Sequence, residues 1–282
     1  GLKRILTWGA GFRETLTQIL KLRGTPVTVL ATGDPMHFGI GATLRRYVAA
    51  EEMLVLPSPS AFSLAASRLG WPLQSVTQIS LHGRPLAFLN RHVMPRARIL
   101  ALTSDAQTVQ AAVLLAERGF GSSVLHVLEH MGSHRERILR MSALEMAETC
   151  PAMSDFNTLA IDCAGDGPLL APVPGLPDDA FRHDGQLTKR EIRAATLAQL
   201  SPFPNGLLWD VGAGSGSVGI EWCQRHPRNA AIAFESKAER VERITRNSLE
   251  LGGLSVKVTG AAPEGFAGQP SPDAVFIGGG LT

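Results

Sequence analysis

Asp210-Val-Gly-Ala-Gly-Ser-Gly216 decides the reading of this chain. An apolar run at residues 207–211 enters it, and a helical pattern at about 217–225 leaves it. A turn between a strand and a helix offers unpaired backbone N–H groups at the helix N-terminus. Gly212, Gly214 and Gly216 permit tight backbone angles and let a ligand approach without a Cβ in the way, and Ala213 and Ser215 between them are small. Glu235 ends the next strand-like run, nineteen residues after Gly216. A carboxylate there can accept hydrogen bonds from both ribose hydroxyls of an adenosine, so the two features together predict a nucleoside cofactor. Gly214-Ser-Gly216-Ser-Val-Gly219 also satisfies the dinucleotide pattern G-x-G-x-x-G, which keeps a nicotinamide-dependent oxidoreductase as the alternative. Gly212, not Gly214, follows the strand directly, and Asp210 suits a cofactor with a cationic amino-acid end better than a pyrophosphate. The residues favour S-adenosylmethionine.

Working outward, strands are predicted at 231–234, 256–258 and 274–277, with a helix at about 238–251 stopped by Gly252-Gly253. Thr188 is placed to cap a helix running to residue 200, with Glu191 completing a capping box. Upstream, Pro168, Pro172, Pro174 and Pro177 alternate with Gly165, Gly167 and Gly175, a density that reads as a linker. The expected organisation is therefore residues 1–163, a linker at 164–177, and residues 178–282. In the first part, strands are predicted at 27–30, 53–56, 99–102, 124–128 and 159–161, and helices at 40–50, 61–69 (capped by Ser60) and 106–118. This alternation predicts two α/β domains, the first with a mainly parallel sheet and the second Rossmann-like.

With 282 residues, 44% of them hydrophobic and 18% charged, the chain can bury two cores. A net charge of +2 and scattered basic residues argue against nucleic acid as a partner. Three cysteines without a C-x-x-C spacing indicate a reducing, cytoplasmic setting. No apolar run reaches the length of a membrane helix, so a membrane partner is not expected.

From residue 177 onward the chain resembles the precorrin methyltransferase domain of cobalamin biosynthesis. The carriers are Gly175-Leu-Pro-Asp-Asp-Ala-Phe181, Leu187-Thr-Lys-Arg-Glu-Ile-Arg193, the motif from Asp210 to Trp222, Gly260-Ala-Ala-Pro-Glu264 and Phe276-Ile-Gly-Gly-Gly280. The upstream half is similar to a tetrapyrrole (corrin/porphyrin) methylase domain, through Ala31-Thr-Gly-Asp-Pro-Met-His-Phe-Gly39, Pro57-Ser-Pro-Ser-Ala-Phe-Ser63 and Ser80-Leu-His-Gly-Arg84. In this order the two resemble fused decarboxylating methyltransferases of corrin precursors. The resemblance implies methylation of two meso carbons of a precorrin and loss of carbon dioxide from an acetate arm, divided between the domains. It places cofactor contacts on Thr188, Gly212 to Gly216, Glu235 and the loop around Ala262, and in the first domain on Gly33, Asp34, Pro35 and Met36.

Two departures stand out. Where many such methyltransferases carry an acid for the adenine amino group, this chain has Ala261. The strand and glycine–proline loop that open tetrapyrrole methylases are missing, and Gly9-Ala-Gly11 lacks the proline. The second domain's pattern stops after its fourth strand, where an open parallel sheet would leave an apolar edge. Both ends thus read as truncated, which makes a non-catalytic binding fragment a third reading.

Methyl transfer from a sulfonium needs alignment and exclusion of water more than a nucleophile or a metal. In keeping with that, the sequence offers no metal cluster and no assignable catalytic residue. His37 and His82 are polar loop candidates, with solvated loop histidines as the plainer explanation. A precorrin carries many carboxylates, for which Arg84, Lys189 and Arg193 are the candidates. Lys189 and Arg193 are four residues apart on one predicted helix face, and a solvated face is the competing explanation. Apolar surface and the resemblance together predict a homo-oligomer.

Overall fold

The computed structural model describes residues 5, 12–170, 173–252 and 255–279. Gly9-Ala-Gly11 lies outside them. Two α/β units follow one another along the chain, each built on its own sheet.

The first unit opens with helices α1 (Phe12–Lys21), α2 (Ile40–Leu44) and α3 (Ala61–Leu69). Ser60 caps α3 by accepting from the Ser63 N–H, and Gly70 ends it in the left-handed conformation. Strand β1 (Thr77–Ser80) leads through a 3-10 turn, Leu86–Arg91, to β2 (Arg98–Thr103) and helix α4 (Asp105–Glu117). A capping box of Ser104 and Gln107 starts α4. Strands β3 (Val124–Glu129) and β4 (Arg137–Ser142), helix α5 (Ala143–Thr149) and β5 (Asn157–Asp162) complete the unit.

The sheet order is β1-β2-β5-β3-β4, and this corrects the expectation of a mainly parallel sheet. Only β1 and β2 run parallel among its pairings; β5 runs antiparallel to both β2 and β3, and β3 and β4 form a hairpin. The short β3–β4 link holds no crossover helix, which forces the antiparallel pairing. The predicted strands at 27–30 and 53–56 do not form. Their composition is strand-like, but among the described residues neither finds a ladder partner, and Leu30 and Leu54 stay 86% and 89% exposed. The predicted helix at 40–50 is cut to Ile40–Leu44.

In the second unit, α6 (Arg190–Leu200) precedes β6 (Leu207–Val211), α7 (Ser217–Gln224), β7 (Ala230–Phe234), α8 (Ala238–Glu250), β8 (Val256–Thr259) and β9 (Ala274–Ile277). Thr188 does not cap α6. Lys189 holds the cap position without a side-chain bond, and the Thr188 carbonyl instead accepts from Arg193. All four strands are parallel in the order β8-β7-β6-β9. The chain therefore builds outward from β6 to β8 and then returns to the other side of β6. Such a reversal opens a crevice at the carboxyl ends of the strands, and the glycine turn sits there.

Every residue of α7 is buried. The 3-10 turn of the first unit helps to cover it: Arg91 donates to the Gln224 carbonyl at 2.6 Å, and Asn90 donates to the Glu250 carbonyl at 2.7 Å. A cation and an amide thus satisfy the C-terminal carbonyls of α7 and α8, the ends remote from the crevice. Trp222, fully buried, donates to the Gly206 carbonyl and anchors α7 to the start of β6.

Candidate functional site

The turn after β6 is held from below by the neighbouring strand. Gly212 N and Ala213 N both donate to the Phe234 carbonyl at the end of β7. Gly216 has φ of +76°, and a Cβ there would lie 2.8 Å from Cγ2 of Ile244 on α8. Only glycine lets the turn close against that helix.

Glu235 stands one residue past β7, buried beside the turn. Its Oε2 accepts from Gly214 N at 2.9 Å, and its Oε1 accepts from Ser236 N and Lys237 N at 2.9 and 3.0 Å. The carboxylate thus links the turn to the start of α8 and retains lone pairs for a ligand. Asp210, at β6, is 1% exposed. One of its oxygens, Oδ2, accepts from Gly219 N at 3.0 Å, while Oδ1 has no partner among the described residues. Burial pushes this carboxyl up to about 7, the Gly219 N–H opposes the shift, and the nearby Glu235 charge adds to it.

Above the turn lies a cavity of about 590 Å³ whose walls include Asp210, Gly212, Gly214, Glu235, Thr188 and Arg240. A second cavity of about 490 Å³ shares the wall at Gly212 and Glu235 and reaches Ala261, Ala262 and Phe266. Of the site residues expected in the second domain, Thr188, Gly212 to Ser215 and Glu235 border the first cavity and Ala262 the second, while Gly216 lines neither and packs against Ile244.

A strap at residues 183–188 forms the remaining wall. Asp184 lies 2.9 Å from Arg240 Nε and 3.0 Å from Arg243 Nη1, and Arg240 also donates to Gln186 Oε1. The Asp184 carboxyl is held far below the usual carboxylate range by these arginines, Arg243 first. Asn247 on α8 exchanges bonds with the backbone of Arg182 through Oδ1 and Nδ2, and Nδ2 also donates to the Ser215 carbonyl. One amide thus ties Arg182, the residue before the strap, to the glycine turn.

The substrate candidates separate. Arg193 is completely buried, bonded to Glu221, Asp178 and the carbonyls of Thr188 and Leu176. It is a structural hub, closed to any substrate carboxylate, and this corrects the expectation drawn from its spacing. Lys189 is exposed, 3.8 Å from Asp178. Arg84 is exposed in the first unit with its guanidinium 5.0 Å from the Phe88 ring. The Gly33, Asp34, Pro35 and Met36 segment forms a turn closed by Met36 N donating to Asp34 Oδ1, and it lies against the start of α3. The His37 ring lies 5.0 Å from that of Phe62, tilted by 50°, and His82 lies 5.7 Å from Phe156.

Comparison with known proteins agrees with this architecture. Residues 179–282 match the precorrin methyltransferase domain, and residues 12–147 match the tetrapyrrole (corrin/porphyrin) methylases. Over 278 residues the chain is 48% identical to the precorrin-6Y C(5,15)-methyltransferase [decarboxylating] of Sinorhizobium sp, covering 97% of this chain and 67% of that protein. The chain belongs to this family. A protein of the same name from Mycobacterium tuberculosis is 39% identical over 264 residues, covering 92% of this chain and 65% of its own length. The chain thus spans about two thirds of the curated relatives it matches. A solved C-terminal domain of precorrin-6Y C5,15-methyltransferase from Rhodobacter capsulatus is 48% identical, with a TM-score of 0.38 over 40% of this chain and 61% of that one.

Asp184, Arg240 and Asn247 escaped the sequence reading. Their partners lie 32 to 65 residues away, beyond any local pattern. An Arg-x-x-Arg spacing on an amphipathic helix gives a weak signal that ordinarily marks a solvated face.

Proposed function

We propose that the second unit binds S-adenosylmethionine in the hollow above β6 and presents it to a precorrin, methylating the macrocycle with loss of carbon dioxide from an acetate arm. When bound, this donor supplies an electrophilic methyl group on a sulfonium. The single observation that carries the reading is the pair of acidic groups at the base of the cavity: the Glu235 carboxylate and the Asp210 carboxyl, one oxygen of which is unpartnered among the described residues. A pyrophosphate would bring negative charge against both, whereas a cationic donor meets complementary charge. Glu235 takes the ribose hydroxyls, the turn from Gly212 to Gly216 brings backbone close to the amino-acid end, and Thr188 and Ala262 flank the two sides. Lys237 and Arg240, on the cavity wall, suit a donor carboxylate or a macrocycle carboxylate.

The family name pairs two methylations, and we assign the second to the first unit around Gly33, Asp34, Pro35 and Met36, with Arg84 and Lys189 toward substrate carboxylates. The division at 164–177 fits the gap between β5 of one sheet and β6 of the other. Free Cys150, Cys163 and Cys223 fit a cytoplasmic setting, and the exposed Leu30, Leu54, Leu56 and Phe156 fit a homo-oligomer. The chain is tested by incubation with a precorrin and methyl-labelled donor under reducing conditions. Mass spectrometry is expected to show label in the corrin ring and loss of carbon dioxide. Label transfer absent with this chain and present with a longer relative would refute the assignment of the activity to these residues.

A further inference from the structure

Asp210 carries more than the glycine turn requires. Its Oδ2 accepts the Gly219 N–H and fixes the first turn of α7 to β6. Its Oδ1 is buried and has no hydrogen-bond partner among the described residues, yet the residue forms part of the cavity wall. A charged oxygen left so would cost several kcal/mol, and a protonated carboxyl avoids that cost. Burial and the adjacent Glu235 charge both favour the neutral acid, whose carboxyl is pushed up to about 7.

The groups around it leave this balance unopposed in the free protein. Glu235, at the end of β7, is negative. From α7 comes the buried Cys223 thiol, held above its ordinary range by burial. From β9 and its following loop come Phe276, Gly278 and Gly279, which bear no charge. From α8, Arg240 is engaged by Asp184 and Gln186 of the strap, and Lys237 stands before its first turn. From the strap itself, Thr188 is neutral and Lys189 is turned to Asp178.

We infer that Asp210 is a proton-linked selector for cationic cofactors: in mildly acidic solution it holds its proton in the free protein, and it ionises when a cation enters the cavity, releasing that proton to solvent. This rests on the donor-binding reading given above. The sign follows directly. A bound cation favours the carboxylate, so the acid's affinity for its proton falls on binding, and binding strengthens as pH rises toward and past neutrality. For an acid titrating near neutrality, uptake releases about 0.9 proton at pH 6 and about 0.1 at pH 8, and affinity rises about tenfold between them. A ligand that brings no cationic group to this part of the cavity releases no proton from Asp210.

Isothermal titration calorimetry tests this on the full chain. S-adenosylmethionine and S-adenosylhomocysteine are titrated at pH 6 and pH 8 in phosphate and in imidazole buffers, whose ionisation heats differ. At pH 6 the α-amino group of either ligand is protonated, so the proton count belongs to the protein. Release with S-adenosylmethionine alone places the sulfonium at Asp210, and release with both places the ammonium there; either supports the inference. Asp210→Asn is expected to remove the release and flatten the pH dependence. If that variant does not fold, the wild-type proton count decides alone. Tight binding of both ligands with no proton released at pH 6 overturns this inference and leaves the donor-binding reading standing. Absence of binding by either ligand overturns both.

Discussion

Removing the Arg193 guanidinium separates the structural reading from the one its sequence position suggests. Arg193 spreads its donors over Glu221 Oε1, Asp178 Oδ1 and the carbonyls of Thr188 and Leu176. Glu221, 1% exposed at its side chain, also accepts from Gly175 N at 2.6 Å and Leu176 N at 2.9 Å. In Arg193→Ala, Glu221 keeps those two N–H groups but loses its counter-charge in a dry site. Breaking a buried pair from one side costs about 3–5 kcal/mol. The two carbonyls lose their donor as well, so the upper part of that range is expected. Arg193→Lys, with a charge but no planar fork, is expected to lie about midway. Urea unfolding followed by tryptophan fluorescence reads the second unit once Trp8 and Trp71 are replaced by Phe, which leaves Trp209 and Trp222 as the reporters. A stability within about 1 kcal/mol of wild type, together with weakened precorrin binding, would refute the reasoning and return Arg193 to the substrate.

Gly216→Ala combines a left-handed φ with a Cβ 2.8 Å from Ile244, so a loss of about 1–3 kcal/mol is expected, partly recovered by Ile244→Ala. Differential scanning calorimetry of the single and double variants checks it. Arg91→Ala removes the cation from the end of α7 and leaves the Gln224 carbonyl buried without its donor, a loss of about 1–2 kcal/mol. Limited proteolysis is expected to cut faster within residues 164–177, and an unchanged cleavage rate would speak against an anchoring role. His92 is lowered to about 4, by burial first and Arg91 second. Below its ordinary value near 6.5 the unfolded state binds a proton that the folded state refuses, so stability falls as pH drops from 6.5 toward 4. His92→Gln is expected to remove a few kcal/mol of that fall, read from urea titrations at pH 7 and pH 4.5.

The second unit was the more legible of the two because its parallel strands are continuous apolar runs punctuated by glycine, and its turn residues have φ values that glycine accommodates best. The strands at 207–211, 231–234, 256–258 and 274–277 agree with β6 to β9 within a residue or so at each end. The first unit was harder. Strand β4, Arg-Ile-Leu-Arg-Met-Ser, is a half-exposed edge strand with no buried run to announce it. Residues 27–30 and 53–56 have the composition of strands, but composition does not supply a neighbour. At the site, Glu235 was readable from its distance to the turn. The unpaired oxygen of Asp210 was not, because it depends on which N–H groups α7 and β9 bring near it. Arg193 misled for the same reason: helical spacing with Lys189 put the two on one face, and Glu221, 28 residues away, decides that Arg193 points inward.

The central claim is that the hollow beside Glu235 takes a methyl donor and not a dinucleotide. Calorimetric titration of the wild-type chain with S-adenosylhomocysteine and with NADH measures it directly, with Glu235→Gln alongside. Saturable binding of S-adenosylhomocysteine, none of NADH, and affinity weakened about tenfold or more in the variant are expected, because glutamine offers the ribose one neutral acceptor where the carboxylate offers two charged ones. Saturable NADH binding without S-adenosylhomocysteine binding, or affinity unchanged by Glu235→Gln, would contradict it.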